Sequence, residues 1–167
     1  MSESVRRLSF TALFVAVGVL SAHLIYIPIG IAKCFPVQHA INVLLAVLLG
    51  TRYAVSGAFA VSLLRVAFGT GSLLAFPGSM FGAVLAGLLY KRTGHVAGAM
   101  IGEVIGTGLL GGLAAYPVAA YLIGSQVGAF FFIVPFAISS LGGSLIAWLI
   151  NQTPVAAFCR DILGKRS

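Results

Sequence analysis

Acid is nearly missing from this chain. Of 167 residues only Glu3, Glu103 and Asp161 carry carboxylates, against ten Lys and Arg, a formal charge of +7. Such an excess ordinarily points to an acidic partner such as nucleic acid. Here the basic residues sit in the breaks between apolar runs, where they read as topology signals instead, so no nucleic-acid partner is expected. Cysteine is scarce as well. Cys34 and Cys159 are the only two, with no zinc or redox spacing between them, so neither a metal centre nor a disulfide framework is expected. The G-x-x-x-x-G-K-[ST] phosphate loop, the G-x-S-x-G elbow and H-E-x-x-H are all missing, and His23, His39 and His95 fall at scattered depths. These absences disfavour an enzyme, exclude ATP hydrolysis through that loop, and leave no cofactor to expect.

What the chain has in abundance is apolar surface. Hydrophobic residues make up 60% and charged residues 8%, with a mean hydropathy of +1.10, more than an ordinary water-soluble core can hide. The composition predicts an all-α integral membrane protein with one domain over residues 1–167. Six apolar segments stand out, at about 8–27, 37–50, 53–68, 74–90, 95–117 and 127–150. The first is about 20 residues long, enough to span, and lacks a small-residue cleavage site, so it reads as a retained helix rather than a signal peptide. The second is short for a bilayer. Turn chemistry separates the segments at Pro28 and Gly30, Gly50 to Arg52, Gly69 to Gly71, Arg92 to Gly94, and Gly124 to Gly128.

Basic residues fall in alternate breaks. Arg6, Arg7, Arg52, Lys91, Arg92, Arg160, Lys165 and Arg166 lie on one side, while Lys33 is alone in the other set of loops. The positive-inside rule then puts both termini in the cytoplasm, and Cys34, the Gly69–Leu74 loop and the start of the second helix outside. The two cysteines fall on opposite sides and cannot pair. Small residues recur at four-residue spacing, as Gly94, Gly98, Gly102 and Gly106 in the fifth helix and Gly78, Gly82 and Ala86 in the fourth, a pattern that lets helices approach closely in lipid. Ala12 and Ala16 form a shorter pair in the first.

Ionisable and amide side chains inside apolar runs need a reason, since insertion of a charge costs on the order of 2.5 to 3.5 kcal/mol. Glu103 lies roughly 12 Å from the cytoplasmic end of its helix at the helical rise. It is either a ligand- or proton-binding carboxylate, or an acid neutralised by burial or paired with Arg65. Arg65 either joins a binding site or snorkels to the outer surface. Gln38 and Asn42 are four apart and share a face, with His39 rotated by about 100°; these side chains either line a polar pocket or tie helices together. Thr70, Ser72, Phe76, Pro77, Ser79, Thr107, Tyr116 and Tyr121 fall at the same outer level, the tyrosines also suiting an interfacial belt. Hydroxyls, amides and aromatic faces together suit a small heteroaromatic ligand.

Three stretches carry a resemblance. "CFPVQHAINVLLAVLLG" (Cys34 to Gly50), "SLLRVAFGTGSLLAFPGSMFGA" (Ser62 to Ala83) and, with them, the pair Ala12 and Ala16 make nearly the whole chain similar to the substrate-binding S components of energy-coupling factor transporters, in particular the ThiW family, associated with uptake of the thiazole precursor of thiamine. The resemblance implies a six-helix capture subunit in a prokaryotic plasma membrane, with an outward pocket capped by the loop between helices one and two. It implies partners, a transmembrane coupling subunit and two ATPase subunits, with Ala12 and Ala16 on the docking surface, and a loaded subunit that topples to deliver its ligand. The implied ligand is hydroxyethylthiazole; a buried carboxylate at Glu103 would suit the cation thiamine better, which leaves that ligand as the alternative, beside a self-sufficient proton-coupled carrier. The expected substrate-binding residues, Gln38, His39, Asn42, Arg65, Thr70, Ser72, Phe76, Ser79, Glu103, Thr107 and Tyr116, come from polarity and depth.

Overall fold

Ser2 opens the first helix by accepting a hydrogen bond from the Val5 backbone N–H on its hydroxyl (3.4 Å), with Glu3 in the first turn where the helix dipole favours negative charge. The computed structural model describes residues 2–29 and 32–163. In chain order it contains α1 (Glu3–Leu24), β1 (Ile27–Ile29), β2 (Ala32–Cys34), α2 (Pro36–Leu48), α3 (Thr51–Ala67) and α4 (Ala75–Thr93). These are followed by α5 (Val96–Ile123), α6 (Ile133–Asn151) and α7 (Pro154–Ile162). The turn expected at Gly30 and the basic residues Lys165 and Arg166 lie outside the described residues.

Six of the helices answer to the six apolar segments, and α1, α5 and α6 are long and apolar enough to cross a membrane. The chain departs from an all-α expectation at two strands. Ile27 pairs with Cys34, Pro28 with Lys33 and Ile29 with Ala32 in an antiparallel hairpin. The β-branched residues around Pro28 favour extended backbone, and proline is tolerated in a two-stranded sheet because each strand is an edge. A seventh helix, α7, was not foreseen. Thr153 and Pro154 supply its start, with proline at the first helical position; Ala156 and Leu163 are buried while Val155 and Phe158 stay exposed.

α2 explains its own shortness. Every residue from Pro36 to Leu48 except Val37 is buried, because α1, α3, α4, α5 and α6 all pack against it. A helix enclosed on all sides need not match the bilayer thickness, and a polar residue on any of its faces meets another helix rather than lipid. The core follows from this arrangement: Ile41, Val43, Leu44, Leu45, Val47 and Leu48 of α2 meet alanines 54, 58, 83, 86, 99 and 147 of the surrounding helices.

α4 and α5 touch backbone to backbone. A Cβ at Gly102 would come within 2.4 Å of the Leu85 carbonyl oxygen, one at Gly106 within 2.4 Å of the Phe81 carbonyl oxygen, and one at Gly111 within 2.7 Å of Gly78 Cα. The contacting glycines step by four from 102 to 106 and then by five to 111. That change follows the winding, because Val104–Gly111 and Val118–Ile123 are π-helical, with i→i+5 hydrogen bonds. Gly94 is not part of this contact: it ends α4 in the left-handed conformation at φ 70°.

Candidate functional site

Three connections close over one end of the bundle: the hairpin before α2, the Phe68–Leu74 turn between α3 and α4, and residues 124–132 between α5 and α6. Beneath them lies a cavity of about 450 Å³, within the range of about 300 to 1,000 Å³ usual for small-molecule sites. One wall is aromatic, from Phe35, Phe131, Phe132 and Phe136, the last two with ring centroids 5.9 Å apart. The mouth carries Lys33, Thr70, Ser72, Ser125 and Val127, and the floor is set by Gln38, His39, Gly78 and Ser79. Glycine at 78 leaves room for the wall, since a Cβ there would stand 2.8 Å from the Phe136 ring. The hairpin is pinned to α6 at its end: Cys34 Sγ donates to the Pro135 carbonyl (3.1 Å) and the Phe35 N–H donates to Ser139 Oγ (2.8 Å). Burial pushes the Cys34 thiol above its ordinary range, which keeps it protonated as that donor.

At the side of the cavity the Arg65 guanidinium is held on three sides. It donates through Nη1 to Gln38 Oε1 and through Nη2 to the Thr70 carbonyl (3.0 Å), and its Cζ stands 3.6 Å from the centre of the Phe35 ring. Gln38 in turn donates to Ser62 Oγ (3.3 Å). Arg65 is 2% exposed, so it does not reach the surface by snorkelling, and it does not pair with Glu103.

Below the floor is a second, closed layer centred on Glu103, which is 0% exposed. Its Oε1 accepts from His39 Nδ1 (2.7 Å), Asn42 Nδ2 (3.0 Å) and Thr107 Oγ1 (2.9 Å). Oε2 has no partner among the described residues. Asn42 also donates to Ser79 Oγ (3.0 Å) and its carbonyl (3.3 Å). Gly82 makes the space for this carboxylate, since a Cβ there would fall 2.7 Å from both Glu103 oxygens and 2.1 Å from Thr107 Oγ1. What reads as a packing ladder on α4 is, at this rung, a seat for an acid. His39 joins the two layers: it lines the cavity and bonds Glu103 through Nδ1, leaving Nε2 available.

The expected site residues therefore separate. Gln38, His39, Arg65, Thr70, Ser72 and Ser79 line the cavity. Asn42, Glu103 and Thr107 lie beneath it, so Gln38 and Asn42, though on one face of α2, serve different layers. Phe76 and Tyr116 are not among the lining residues; Phe76 packs on Phe59 with centroids 5.6 Å apart. The aromatic wall and Ser139 were missed. For Phe131, Phe132 and Phe136 the signal was the run "FFFIVPF" (Phe130 to Phe136) leading into α6, which a search for polar residues in apolar segments passes over. Ala12 and Ala16 are exposed on α1, beside the buried line of Thr11, Val15 and Val19.

Three helices long and apolar enough to cross a membrane, and a cavity with an aromatic wall and a size that suits a small molecule, are the features of a membrane-protein class that the comparisons then narrow. Residues 8–154 match the family described as thiamine-precursor transporter protein, ThiW. That match covers most of the chain, which belongs to this family of transporters. Neither the curated proteins nor the solved structures compared with the chain give a match.

Proposed function

We propose that the chain is the substrate-binding component of an ATP-driven importer of the energy-coupling factor type, and that it captures the thiazole precursor of thiamine, with hydroxyethylthiazole as the parent ligand, from outside the cell. The observation that carries the reading is the shape of the cavity. Its lining ends at Gln38, His39 and Ser79, above a closed hydrogen-bonded layer, which suits capture from one side better than passage through the chain.

Topology supports the direction. The cavity end holds Lys33, whereas Arg6, Arg7, Arg52, Lys91, Arg92 and Arg160 lie at or beyond the opposite helix ends; by the positive-inside rule the cavity faces outward and both termini are cytoplasmic. In this reading α1 to α6 all span a plasma membrane. α3 and α4, at 17 and 19 residues, reach about 25 to 29 Å at the helical rise, close to the roughly 30 Å hydrocarbon layer, and α2 is shielded by its neighbours. The exposed pair Ala12 and Ala16, flanked by exposed Leu8, Leu13, Val17 and Leu20, forms the surface for the transmembrane coupling subunit, which brings two ATPase subunits.

The ring of the ligand packs on the phenylalanine wall, and its hydroxyl and ring nitrogen meet Gln38, His39, Ser79 or Ser139. Glu103 is fully buried below the floor and is not among the cavity-lining residues, so the cavity presents no carboxylate to a thiamine cation. A second reading, a self-sufficient proton-coupled carrier, draws on the buried His39–Glu103 pair and the unpartnered Oε2. Uptake of labelled hydroxyethylthiazole in cells with and without the coupling and ATPase subunits separates the two. The importer reading expects concentrative uptake only when all subunits are present; robust accumulation by this chain alone would sink it.

A further inference from the structure

The cavity is charged in one sense only. Among its lining residues are Lys33 and Arg65 and no Asp or Glu. Of the three acids in the chain, Glu103 is closed off beneath the floor by His39, Asn42 and Thr107, Glu3 pairs with Arg7 at the far end of α1, and Asp161 lies on α7. Neither cavity cation has a carboxylate partner among the described residues. Lys33 Nζ stands 4.9 Å from the centre of the Tyr26 ring.

Arg65 is the more telling of the two. A guanidinium has five N–H donors in a planar fork, and every acceptor it meets here is neutral: an amide oxygen, a backbone carbonyl and an aromatic face. Its Nε is buried without an acceptor. These contacts fix the fork in position at the cavity wall without cancelling its charge, and a buried charge without a counter-ion is costly to keep. The turn next to it is bonded twice over by backbone as well, the Thr70 and Gly71 N–H groups donating to the Arg65 backbone carbonyl (2.9 and 3.0 Å), so one arm of the fork is spent on the Thr70 carbonyl and the rest is not.

We propose that Arg65, with Lys33 at the mouth, is an anion subsite beside the ring-binding wall, and that the chain binds thiazoles whose ring substituent ends in a carboxylate or phosphate more tightly than the neutral alcohol. Gln38 and Thr70 position the fork; Phe35 covers one of its faces. A permanently cationic thiazolium is the least favoured ligand, since it would meet two positive charges and no free carboxylate. This inference rests on the thiazole-capture reading given above and sharpens its substrate class.

The test is an equilibrium titration of the purified full chain with hydroxyethylthiazole, its phosphate monoester, the acid in which the side chain ends in a carboxylate, and thiamine, each at low and high ionic strength. The anionic thiazoles are expected to bind at least tenfold more tightly than the alcohol at low salt, with the advantage shrinking at high salt, and thiamine to bind most weakly. In Arg65→Gln the ratio of anion to alcohol affinity should fall toward one, and Arg65→Lys should keep part of it. Using the ratio within each variant removes any loss of folded protein, and if Arg65→Gln does not fold, the wild-type ligand series decides alone. An alcohol that binds as tightly as its charged relatives, with the same salt response, overturns the anion subsite while leaving thiazole capture standing. Binding of thiamine with no binding of any thiazole overturns both.

Discussion

Gln38 and Asn42 leave the same face of α2 one turn apart and end in different chemical surroundings. Gln38 lines the cavity and holds Arg65; Asn42 is fully buried and bridges Ser79 to Glu103. Replacing each by Leu should therefore give opposite phenotypes. Gln38→Leu is expected to weaken ligand affinity by about 1 to 3 kcal/mol through polar groups left unpaired in the site, whereas Asn42→Leu removes a similar amount from stability by stranding buried acceptors. Titration and thermal melting of both variants in detergent check the pair, and equal losses of affinity in both would refute the two-layer description. Gly82 tests the lower layer from another helix. A methyl group added there meets both Glu103 oxygens and Thr107 Oγ1 at less than van der Waals distance, so Gly82→Ala should destabilise the chain by about 1 to 3 kcal/mol as overpacking does. A melting temperature unchanged from the wild type would mean that the carboxylate is not seated against α4. None of this was legible from residue types alone. Polarity marked Glu103 and His39 as residues needing a reason, but which partner each chose depends on helix rotation, and sequence alone offered Arg65 as the cation for an acid that in fact bonds His39.

The helices themselves were largely readable, because long apolar runs bounded by glycine and basic residues leave little freedom. The expected segment 95–117 falls short of α5 by six residues, Val118 to Ile123, because Pro117 reads as a helix end and instead sits between two π-wound stretches whose extra residue per turn accommodates it. The expected start at 127 is too early for α6, which begins at Ile133; Val127, Phe131 and Phe132 in that stretch are apolar residues that line the cavity ahead of the helix. The hairpin was hidden for a related reason: three-residue strands carry no readable alternation. α1 carries the pair expected at the partner surface. Its Ala12 and Ala16 are exposed and make no part of the core, so under the proposed importer reading replacing both by Trp should leave ligand affinity unchanged and abolish co-purification with the coupling subunit. Lost ligand binding in that variant would instead assign the pair to folding.

At the scale of the molecule, short connections force consecutive helices to alternate direction, so the ends of α1, α3 and α5 and the starts of α2, α4 and α6 must gather at one face. That much follows from the sequence, and it is why polar residues at Gln38, Arg65, Thr70 and Ser79 group at one level from the sequence alone. Phe131, Phe132 and Phe136 could not, since an apolar residue in an apolar chain carries no mark of facing a cavity rather than lipid. The account stands on the claim that this cavity is the site for the thiazole precursor. The most direct measurement is a binding titration of the purified chain with hydroxyethylthiazole and with the pyrimidine precursor of thiamine, made in parallel on Val127→Trp, which adds bulk at the cavity mouth where Val127 packs on Ala115, Ala119 and Phe132, with a melting curve to show that the variant folds. Saturable one-to-one binding of the thiazole, no binding of the pyrimidine, and loss of at least tenfold in affinity in the tryptophan variant are the predicted results; a thiazole that binds Val127→Trp as well as the wild type would place the site elsewhere and contradict the account.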